Sequence, residues 1–324
     1  MKLLRLGEKE LISAIRKEFS VMPKSLLVGI GDDAAVIKAG KTHFIFTKDL
    51  LLEDIHFISS SHPPRLLGRK SLNVSLSDIA AMGGTPKYAM LGLGLPFRTD
   101  PGWIEDFFSG FKSAALDEGV NLIGGDISRA KKITLSVTVV GEGTNIIKRS
   151  EAKPGSILFV SGTLGDARQG LLLLKRGFKL GDDKRADVLL KAFLDPVPNI
   201  SLGQELSRLK LASSMIDISD GLSVDLEHIC QESGCGAEIQ LEKLPLSPEL
   251  GAFQRKPYDF ALHGGEDYQL LFSVSSEKIK SISRLQKKYM ITSIGCMIPE
   301  KEIILIDQRG KRKRLEIKGW EHFK

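Results

Sequence analysis

The sequence predicts an α/β or α+β protein built from two domains. Strand-like and helix-like segments are interspersed in both halves of the chain, which is typical of this class. The 324 residues suit about two domains of roughly 100–200 residues each. A Lys153-Pro154-Gly155 turn pattern precedes a new apolar run at residues 157–161. We therefore expect one domain at residues 1–148 and a second at residues 149–324.

Apolar periodicity assigns the elements of the first domain in chain order. Near the N-terminus, Leu11, Ile12, Ile15 and Phe19 recur along one side of an amphipathic helix. The segments that follow are a strand at Phe44–Thr47, a helix at Ser71–Met82, a strand at Ala89–Leu95, a helix at Trp103–Glu118 and strands at Leu122–Ile123 and Ile133–Val140.

The second domain shows the same mixture of strands and helices. Strands are predicted at Ile157–Ser161, Ser214–Ile218, Ala237–Leu241 and Tyr268–Val274. Helices are predicted at Ala167–Lys175, Asp187–Phe193, Ile200–Leu209, Gly221–Gln231 and Glu277–Lys288. A basic stretch at residues 309–314 lies between the apolar runs Ile303–Ile306 and Leu315–Ile317, which predicts a hairpin that bends at Gly310.

Composition excludes several classes of protein. With 42% hydrophobic and 27% charged residues, the chain is not expected to be disordered. No apolar run approaches the ~20 residues that a membrane span needs, and charges interrupt the N-terminal segment, so we expect neither a membrane anchor nor a signal peptide. Three cysteines without C-x-x-C spacing predict free thiols in a reducing cytoplasm. The net charge of +6 is weak support for a nucleic-acid partner, and none is expected.

Acidic residues follow apolar runs at six places, mostly beside glycine. A single acid of this kind is equally well explained as a helix cap or a turn residue. Six of similar construction indicate a ligand site, because loops after strands are where α/β proteins bind ligands. The clusters are GIGDD at 29–33, FTKD at 46–49, SD at 77–78, GGD at 124–126, DISDG at 217–221 and GGED at 264–267.

Converging carboxylates point to a hard divalent cation such as Mg²⁺, which prefers oxygen ligands and is often shared with phosphates. The spaced histidines and paired cysteines that favour zinc are missing from the sequence. Glycines beside the acids allow backbone N–H groups to approach phosphate oxygens. No Walker-type phosphate loop and no protein-kinase glycine loop is present. These residues predict magnesium-dependent phosphate chemistry without naming a substrate.

Eight strings in family order resemble the thiamine-monophosphate kinase family, within the PurM-like (aminoimidazole-ribonucleotide-synthetase-like) ATP-binding superfamily. They are GIGDDAAV at 29–36, NVSLSDIAAMG at 73–83, GGD at 124–126, RSEAKPG at 149–155, SGTLGDARQGL at 161–171, IDISDGLSVDL at 216–226, GGEDYQLL at 264–271 and KGWEHF at 318–323. The resemblance implies direct phosphoryl transfer from ATP to thiamine monophosphate. It also implies a homodimer in which the N-terminal sheets of two copies pair into a barrel.

The resemblance implies roles for individual residues. No side chain is expected to act as a catalytic acid or base, because a phosphate nucleophile is already anionic. ATP would contact Gly125, Asp126, Arg149 and Ser219. Thiamine monophosphate would contact His56, Glu266 and Trp320. Several Mg²⁺ ions would be held by Asp33, Thr47, Lys48, Asp49, Asp78, Asp126, Asp217 and Asp220.

Lys48 departs from the family pattern. It lies between Thr47 and Asp49, where the family usually has a small hydroxyl residue. The sequence leaves open whether Lys48 weakens a metal site, binds metal through its carbonyl or reaches a phosphate. Two other functions also stay open: a related ATP-dependent enzyme similar to aminoimidazole ribonucleotide synthetase, and a non-catalytic nucleotide- or RNA-binding protein. Strong RNA binding that falls steeply with salt would favour the latter.

Overall fold

The computed structural model describes residues 7–21 and 23–320 and contains two β-sheets with helices packed against them. The mixed α/β class is confirmed. The strands are β1 (Leu26–Val28), β2 (Ala35–Ala39), β3 (Thr42–Leu52), β4 (Thr85–Leu95), β5 (Asn121–Arg129), β6 (Thr134–Gly143), β7 (Ile157–Ser161), β8 (Ala212–Asp217), β9 (Gly236–Gln240), β10 (Leu270–Val274), β11 (Ile291–Ile298), β12 (Ile303–Ile306) and β13 (Arg312–Arg314).

Helices are distributed over both halves of the described chain. They are α1 (Glu8–Glu18), α2 (Pro64–Ala81), α3 (Pro101–Asp117), α4 (Asp166–Lys175), α5 (Lys184–Leu194), α6 (Ile200–Arg208), α7 (Leu222–Ser233), α8 (Pro248–Phe253), α9 (Pro257–His263) and α10 (Ile279–Leu285). Proline occupies the first turn of α2, α3, α8 and α9, where its missing N–H costs no hydrogen bond.

The first sheet has six strands in the order β1-β2-β3-β6-β4-β5. All its neighbours are antiparallel except β4 and β5, which run parallel. The second sheet has seven strands in the order β13-β12-β9-β11-β7-β10-β8, with β12 and β9 parallel. One sheet therefore comes from residues 26–143 and the other from residues 157–314. A boundary at residue 148 is compatible with this arrangement and stays a prediction.

Helix α2 packs in the centre of the molecule. Its apolar residues, among them Leu72 and Leu76, are buried against the first sheet, and the helix also contacts α3, α6 and β8. Helices α2 and α3 approach closely where Gly110 of α3 faces Arg65 of α2. A Cβ at position 110 would lie 1.7 Å from the carbonyl oxygen of Arg65, so only glycine permits this approach. Helix α2 also contacts β3 and β6 of the first sheet and β8 of the second, so its side chains reach residues of both sheets.

Several predicted boundaries are wrong. Strand β3 continues through Lys48 and Asp49 to Leu52, and β5 runs through the GGD cluster to Arg129. The basic hairpin is confirmed, but its second strand is Arg312–Arg314 rather than residues 315–317. The segment predicted as a helix at residues 277–288 is helical in α10 only from Ile279 to Leu285, after a short 3-10 turn.

Strands β1, β2 and β11 and helices α8 and α9 were not predicted from the sequence. The amphipathic helix α1 is confirmed, although Ile12, Ile15 and Phe19 on its apolar side are exposed. The predicted free state of Cys230, Cys235 and Cys296 is also confirmed. Within residues 7–21 and 23–320, none of the helices has the length and apolar character to cross a membrane.

Candidate active site

Three aspartates from distant parts of the chain meet between the two sheets. Asp33 lies in the loop before β2, Asp78 lies in α2, and Asp217 is the last residue of β8. Each offers a carboxylate oxygen, and these three oxygens lie within 4.8 Å of one another. The Oδ2 atom of Asp33 is buried and takes no hydrogen bond from any described residue. A buried carboxylate oxygen without a partner is a place where a cation fits.

Hydroxyl groups orient the acids. Ser77 on α2 donates a hydrogen bond to Oδ2 of Asp217 over 2.6 Å. Ser75 donates to Oδ2 of Asp49 over 2.6 Å, and Thr47 on β3 donates to Asp78. Because residues 47 and 49 project from the same side of β3, both can face α2. The serines and the threonine thus fix the carboxylates before any ligand arrives.

Burial and mutual repulsion destabilise the charged forms of these acids. Burial, together with the negative charge of Asp33, raises the pKa of Asp217 to about 7. Burial and the charges of Asp49, Asp217 and Asp33 raise the pKa of Asp78 well above its ordinary value. A divalent cation would remove both penalties, because it neutralises the carboxylates and replaces their lost hydration. The donor set contains only oxygen, as Mg²⁺ prefers.

Arg149 covers one side of the cluster. Its Nη2 and Nε atoms lie 2.6 Å and 3.2 Å from Oδ1 of Asp33. The backbone N–H of Arg149 also donates to the carboxylate of Asp32 over 3.3 Å. Burial and the charge of Asp33 raise the pKa of Asp32 to about 6. The guanidinium therefore lies at the acid cluster, where its planar donors suit a phosphate.

Three chain segments meet just after the carboxyl end of β8. They contain Ser219 and Asp220, Glu266, and Trp320. The backbone N–H of Glu266 donates to the carbonyl oxygen of Ser219 over 2.7 Å, and that of Trp320 donates to the carbonyl oxygen of Asp220 over 3.2 Å. The Trp320 residue is 53% exposed, so its ring is accessible to a ligand. Residues 321–323 of the KGWEHF string lie outside the described residues.

Other predicted residues lie apart from the three-aspartate cluster. Gly125 and Asp126 belong to β5, which is exposed along its whole length at the edge of the sheet. Lys48 is exposed and alternates with Thr47 and Asp49, so its side chain projects from the opposite face of β3. His56 lies in the turn after β3, where its Nδ1 accepts a hydrogen bond from the N–H of Leu52 over 2.9 Å.

The expected placement of the acids in loops after strands is wrong at three positions. Asp49 and Asp126 lie within β3 and β5, and Asp78 lies within α2. In contrast, Asp217 ends its strand as expected. The acids converge because α2 crosses between the sheets, which the local sequence pattern does not reveal.

Three residues that contact acids of the site, and a fourth that contacts Gly221, were missed in the sequence. Ser75 and Ser77 lie in the string NVSLSD, where the spacing to Asp78 was the available signal. Lys70 is buried and forms an ion pair with Glu266, and it lies seven residues before Ser77, on the same helix face. Asp225 accepts a hydrogen bond from the N–H of Gly221 over 3.0 Å, and nothing in its local sequence marked it.

Family comparisons match both halves of the chain. The family described as AIR synthase related protein, N-terminal domain, matches residues 31–142. The family described as AIR synthase related protein, C-terminal domain, matches residues 153–308. Asp33, Asp78 and Asp126 fall in the first range, whereas Asp217 and Glu266 fall in the second.

Individual relatives match nearly the whole length. The thiamine-monophosphate kinase of Aquifex aeolicus (strain VF5) is 38% identical over 100% of both chains. The thiamine-monophosphate kinase of Buchnera aphidicola subsp. Acyrthosiphon pisum (strain APS) is 36% identical over 99% of this chain and 100% of the relative. A solved structure of AaThiL complexed with AMPPCP and TMP superposes with a TM-score of 0.89 at 37% identity, covering 99% of each chain.

Proposed function

The chain belongs to the thiamine-monophosphate kinase family, and from this premise we infer that it transfers the γ-phosphoryl group of ATP to thiamine monophosphate. The products are ADP and thiamine diphosphate. The observation that carries this inference is the convergence of Asp33, Asp78 and Asp217 beside Arg149. It occurs in a chain that matches a relative complexed with AMPPCP, an ATP analogue, and TMP over 99% of its length.

Mg²⁺ fits the three-aspartate cluster. Oδ2 of Asp33 is buried without a hydrogen bond from the described residues, and the neighbouring carboxylates repel each other. Asp33, Asp78 and Asp217 would hold an ion directly, with Thr47 and Asp49 close enough in the fold to complete a further site. Asp220 is assigned to the metal set on the family pattern alone. Bound Mg²⁺ screens the phosphate charge so that an anionic nucleophile can approach. We assign Asp126 and the carbonyl of Lys48 to this metal set on the family pattern alone.

We propose a direct in-line transfer. A phosphate oxygen of thiamine monophosphate forms a bond to the γ-phosphorus, and the bond from that phosphorus to the bridging β,γ-oxygen breaks as ADP leaves. The nucleophile is anionic near neutral pH, so no side chain has to remove a proton. Arg149 supplies planar donors for the nucleotide phosphates, and we assign Gly125, Asp126 and Ser219 to the same nucleotide.

We assign the acceptor to the segments beyond the carboxyl end of β8. Glu266 and Trp320 lie on neighbouring segments there, which supports the proposal that they contact thiamine monophosphate. The exposed Trp320 ring suits the cationic thiazolium, a contact worth about 0.5–2 kcal/mol. His56 is assigned to the same ligand on the family pattern alone.

We further propose that two copies of the chain associate through the first sheet. Strand β5 is a nine-residue edge strand that is exposed throughout and presents Leu122, Ile123 and Ile127 to solvent. An unprotected edge with apolar side chains is a surface that a second copy would cover. Pairing there would place Gly125 and Asp126 at the interface.

The three free thiols support a reducing compartment such as the cytoplasm.

The test is an ADP-release assay with Mg²⁺ and ATP that compares thiamine monophosphate, free thiamine and no acceptor. We expect turnover with thiamine monophosphate alone, formation of thiamine diphosphate, and loss of turnover on chelation of the metal. Bound ATP without turnover of thiamine monophosphate would keep the superfamily and remove this substrate. The full-length relatives described above are thiamine-monophosphate kinases, which favours this substrate over the aminoimidazole ribonucleotide synthetase-like alternative.

A further inference from the structure

Lys70 is a completely buried lysine on α2. Its residue has 0% exposed surface, and its Nζ atom donates a hydrogen bond to the carbonyl oxygen of Phe193 over 2.9 Å. The same Nζ lies 3.8 Å from the centre of the Phe193 ring and forms an ion pair with Glu266. Burying an ammonium group is costly unless it is paired, so the carboxylate of Glu266 is what makes this position tolerable.

The backbone of Glu266 is fixed without help from Lys70. Glu266 has a φ of +71°, which non-glycine residues rarely adopt. The N–H of Glu266 donates to the carbonyl oxygen of Ser219 over 2.7 Å, and the N–H of Tyr268 donates to that of Ile218 over 2.8 Å. Asp267 accepts a hydrogen bond from the N–H of Gly165 at the start of α4 over 2.7 Å. The surrounding structure thus holds the loop, and only the direction of the Glu266 side chain remains to be set.

The Lys70 ammonium sets that direction. The Glu266 side chain is 26% exposed, and its Oε2 atom accepts the bond from Lys70. Among the described residues, none donates a hydrogen bond to Oε1. Without Lys70, a glutamate with three rotatable bonds and partial access to water would be free to turn towards solvent. It would also turn away under repulsion from Asp49, whose pKa burial and the charge of Glu266 both raise.

We propose that Lys70 is a positioning residue for the acceptor substrate: it holds Oε2 of Glu266 so that Oε1 is presented to thiamine monophosphate. This inference rests on the proposed function, in which Glu266 contacts that substrate. Lys70 touches neither nucleotide nor acceptor and acts only through Glu266. A lysine that merely filled the core would instead affect stability and leave the acceptor KM unchanged.

A double-mutant cycle separates the two roles. The variants are Lys70→Met, Glu266→Gln and the combination of both, assayed for KM and kcat with thiamine monophosphate and for binding of AMPPCP with Mg²⁺. We expect each single substitution to raise the acceptor KM about tenfold, with AMPPCP affinity within about twofold. The combined variant should be no worse than Glu266→Gln alone, because partners in one contact are not additive.

Arg69→Met is the matched control, since the neighbouring Arg69 forms its ion pairs with Asp195 and Asp117 and none with Glu266. It should lower the melting temperature without changing the acceptor KM. An unchanged KM in Lys70→Met, or a further tenfold loss when Lys70→Met is added to Glu266→Gln, would overturn the inference. Glu266→Gln leaves the buried Lys70 ammonium without a carboxylate and is the variant at risk of not folding. If it does not fold, the combined variant, which should be no worse than Lys70→Met alone, still gives the comparison. Wild-type protein that is inactive on thiamine monophosphate removes the proposed function itself, and the Lys70 role with it.

Discussion

Arg149 directs two guanidinium donors at one oxygen of Asp33. Nη2 and Nε lie 2.6 Å and 3.2 Å from Oδ1, whereas the buried Oδ2 accepts no hydrogen bond from the described residues. The two oxygens of one carboxylate therefore have different surroundings. One is held by a group suited to phosphate, and the other is open to a cation, so in the proposed function Asp33 would lie at the border between the nucleotide and the metal.

Replacing Arg149 by Met should weaken ATP use selectively. We expect the KM for ATP to rise more than about tenfold and the acceptor KM to stay within about threefold, because the lost donors are those that we assign to the nucleotide. The metal-free protein should lose roughly 3–5 kcal/mol of unfolding free energy, since Asp33 is left buried and unpaired. Initial-rate kinetics and urea unfolding in a chelator measure both effects.

Lys148→Met is the control for Arg149. Lys148 pairs with Glu151, whose side chain is 62% exposed, and an exposed pair contributes at most about 1 kcal/mol. Equal effects on ATP use from both substitutions would argue against a specific nucleotide contact by Arg149.

Asp217→Asn should abolish activity and raise the free energy of unfolding of the metal-free protein. The folded pKa of Asp217 is raised to about 7 by burial and by Asp33, above an ordinary value of 3.8. Between these values the folded state keeps a proton that the unfolded state has lost, so the contribution of Asp217 to stability falls as pH rises from about 4 to about 7. The asparagine variant lacks this penalty and can still accept the hydrogen bond from Ser77.

With chelator present, we therefore expect the free energy of unfolding of Asp217→Asn to exceed that of the wild type by roughly 1–3 kcal/mol at pH 8 and by much less at pH 4.5. Turnover should be lost, and added Mg²⁺ should no longer raise the melting temperature. Unfolding curves across this pH range provide the measurement. A variant that is active would contradict the role of Asp217 as a metal ligand. A variant that gains no stability at pH 8 would contradict the repulsion between Asp217 and its neighbouring carboxylates in the metal-free protein.

Ser77→Ala should reduce metal affinity without disturbing the fold. Ser77 donates a hydrogen bond of 2.6 Å to Asp217, and partners that orient metal ligands typically contribute 10–100-fold to affinity or activity. Titration of activity with Mg²⁺ should show a midpoint raised about tenfold or more.

Ser71→Ala serves as the matched control, because Ser71 is also buried on α2 but donates to the carbonyl oxygen of Gly68 over 2.8 Å. Its Mg²⁺ midpoint should equal that of the wild type. A shift of the same size in both variants would indicate general damage to α2 instead of a role for the Ser77 hydroxyl.

Ile127→Glu should disrupt the proposed dimer. Ile127 is 70% exposed on β5, so the substitution costs the single chain little but would bury a charge between two copies. Light scattering after size-exclusion chromatography should show monomers. ATP use should decrease as the dimer is lost. Val188→Glu on α5, where Val188 is 45% exposed, should leave the assembly intact. A wild-type monomer at assay concentrations would refute the dimer.

Elements with clear periodicity could be predicted from the sequence, and short or irregular elements could not. The apolar run at Ile157–Ser161 corresponds to β7, which is buried on both faces. Strand β11 was missed because Ser293 and Gly295 interrupt its apolar pattern, and a Cβ on Gly295 would lie 1.9 Å from the carbonyl oxygen of Glu238. Strand β3 was ended too early because Lys48 and Asp49 have low strand propensity, yet pairing with β6 carries the strand to Leu52.

The identities of the site residues were easier to predict than their surroundings. Asp33, Asp78 and Asp217 were predicted as metal ligands and do meet, although they are separated by up to 184 positions in the chain (217 − 33). The serines that orient them and the buried lysine opposite Glu266 depend on the packing of α2 against β8 and α5. No local pattern encodes such a long-range arrangement, so these residues became visible only in three dimensions.

Helix α2 contributes Lys70, Ser75, Ser77 and Asp78 within nine consecutive positions, and these contact partners on four separate segments. Each residue of an α-helix adds a rotation of about 100° and a rise of 1.5 Å. Inserting or deleting one residue between Lys70 and Ser75 would turn Lys70 away from Glu266 while the acids kept their places. Residues 70–78 can therefore accept substitutions at some positions, but the stretch cannot change in length, and insertions in related sequences should fall outside it.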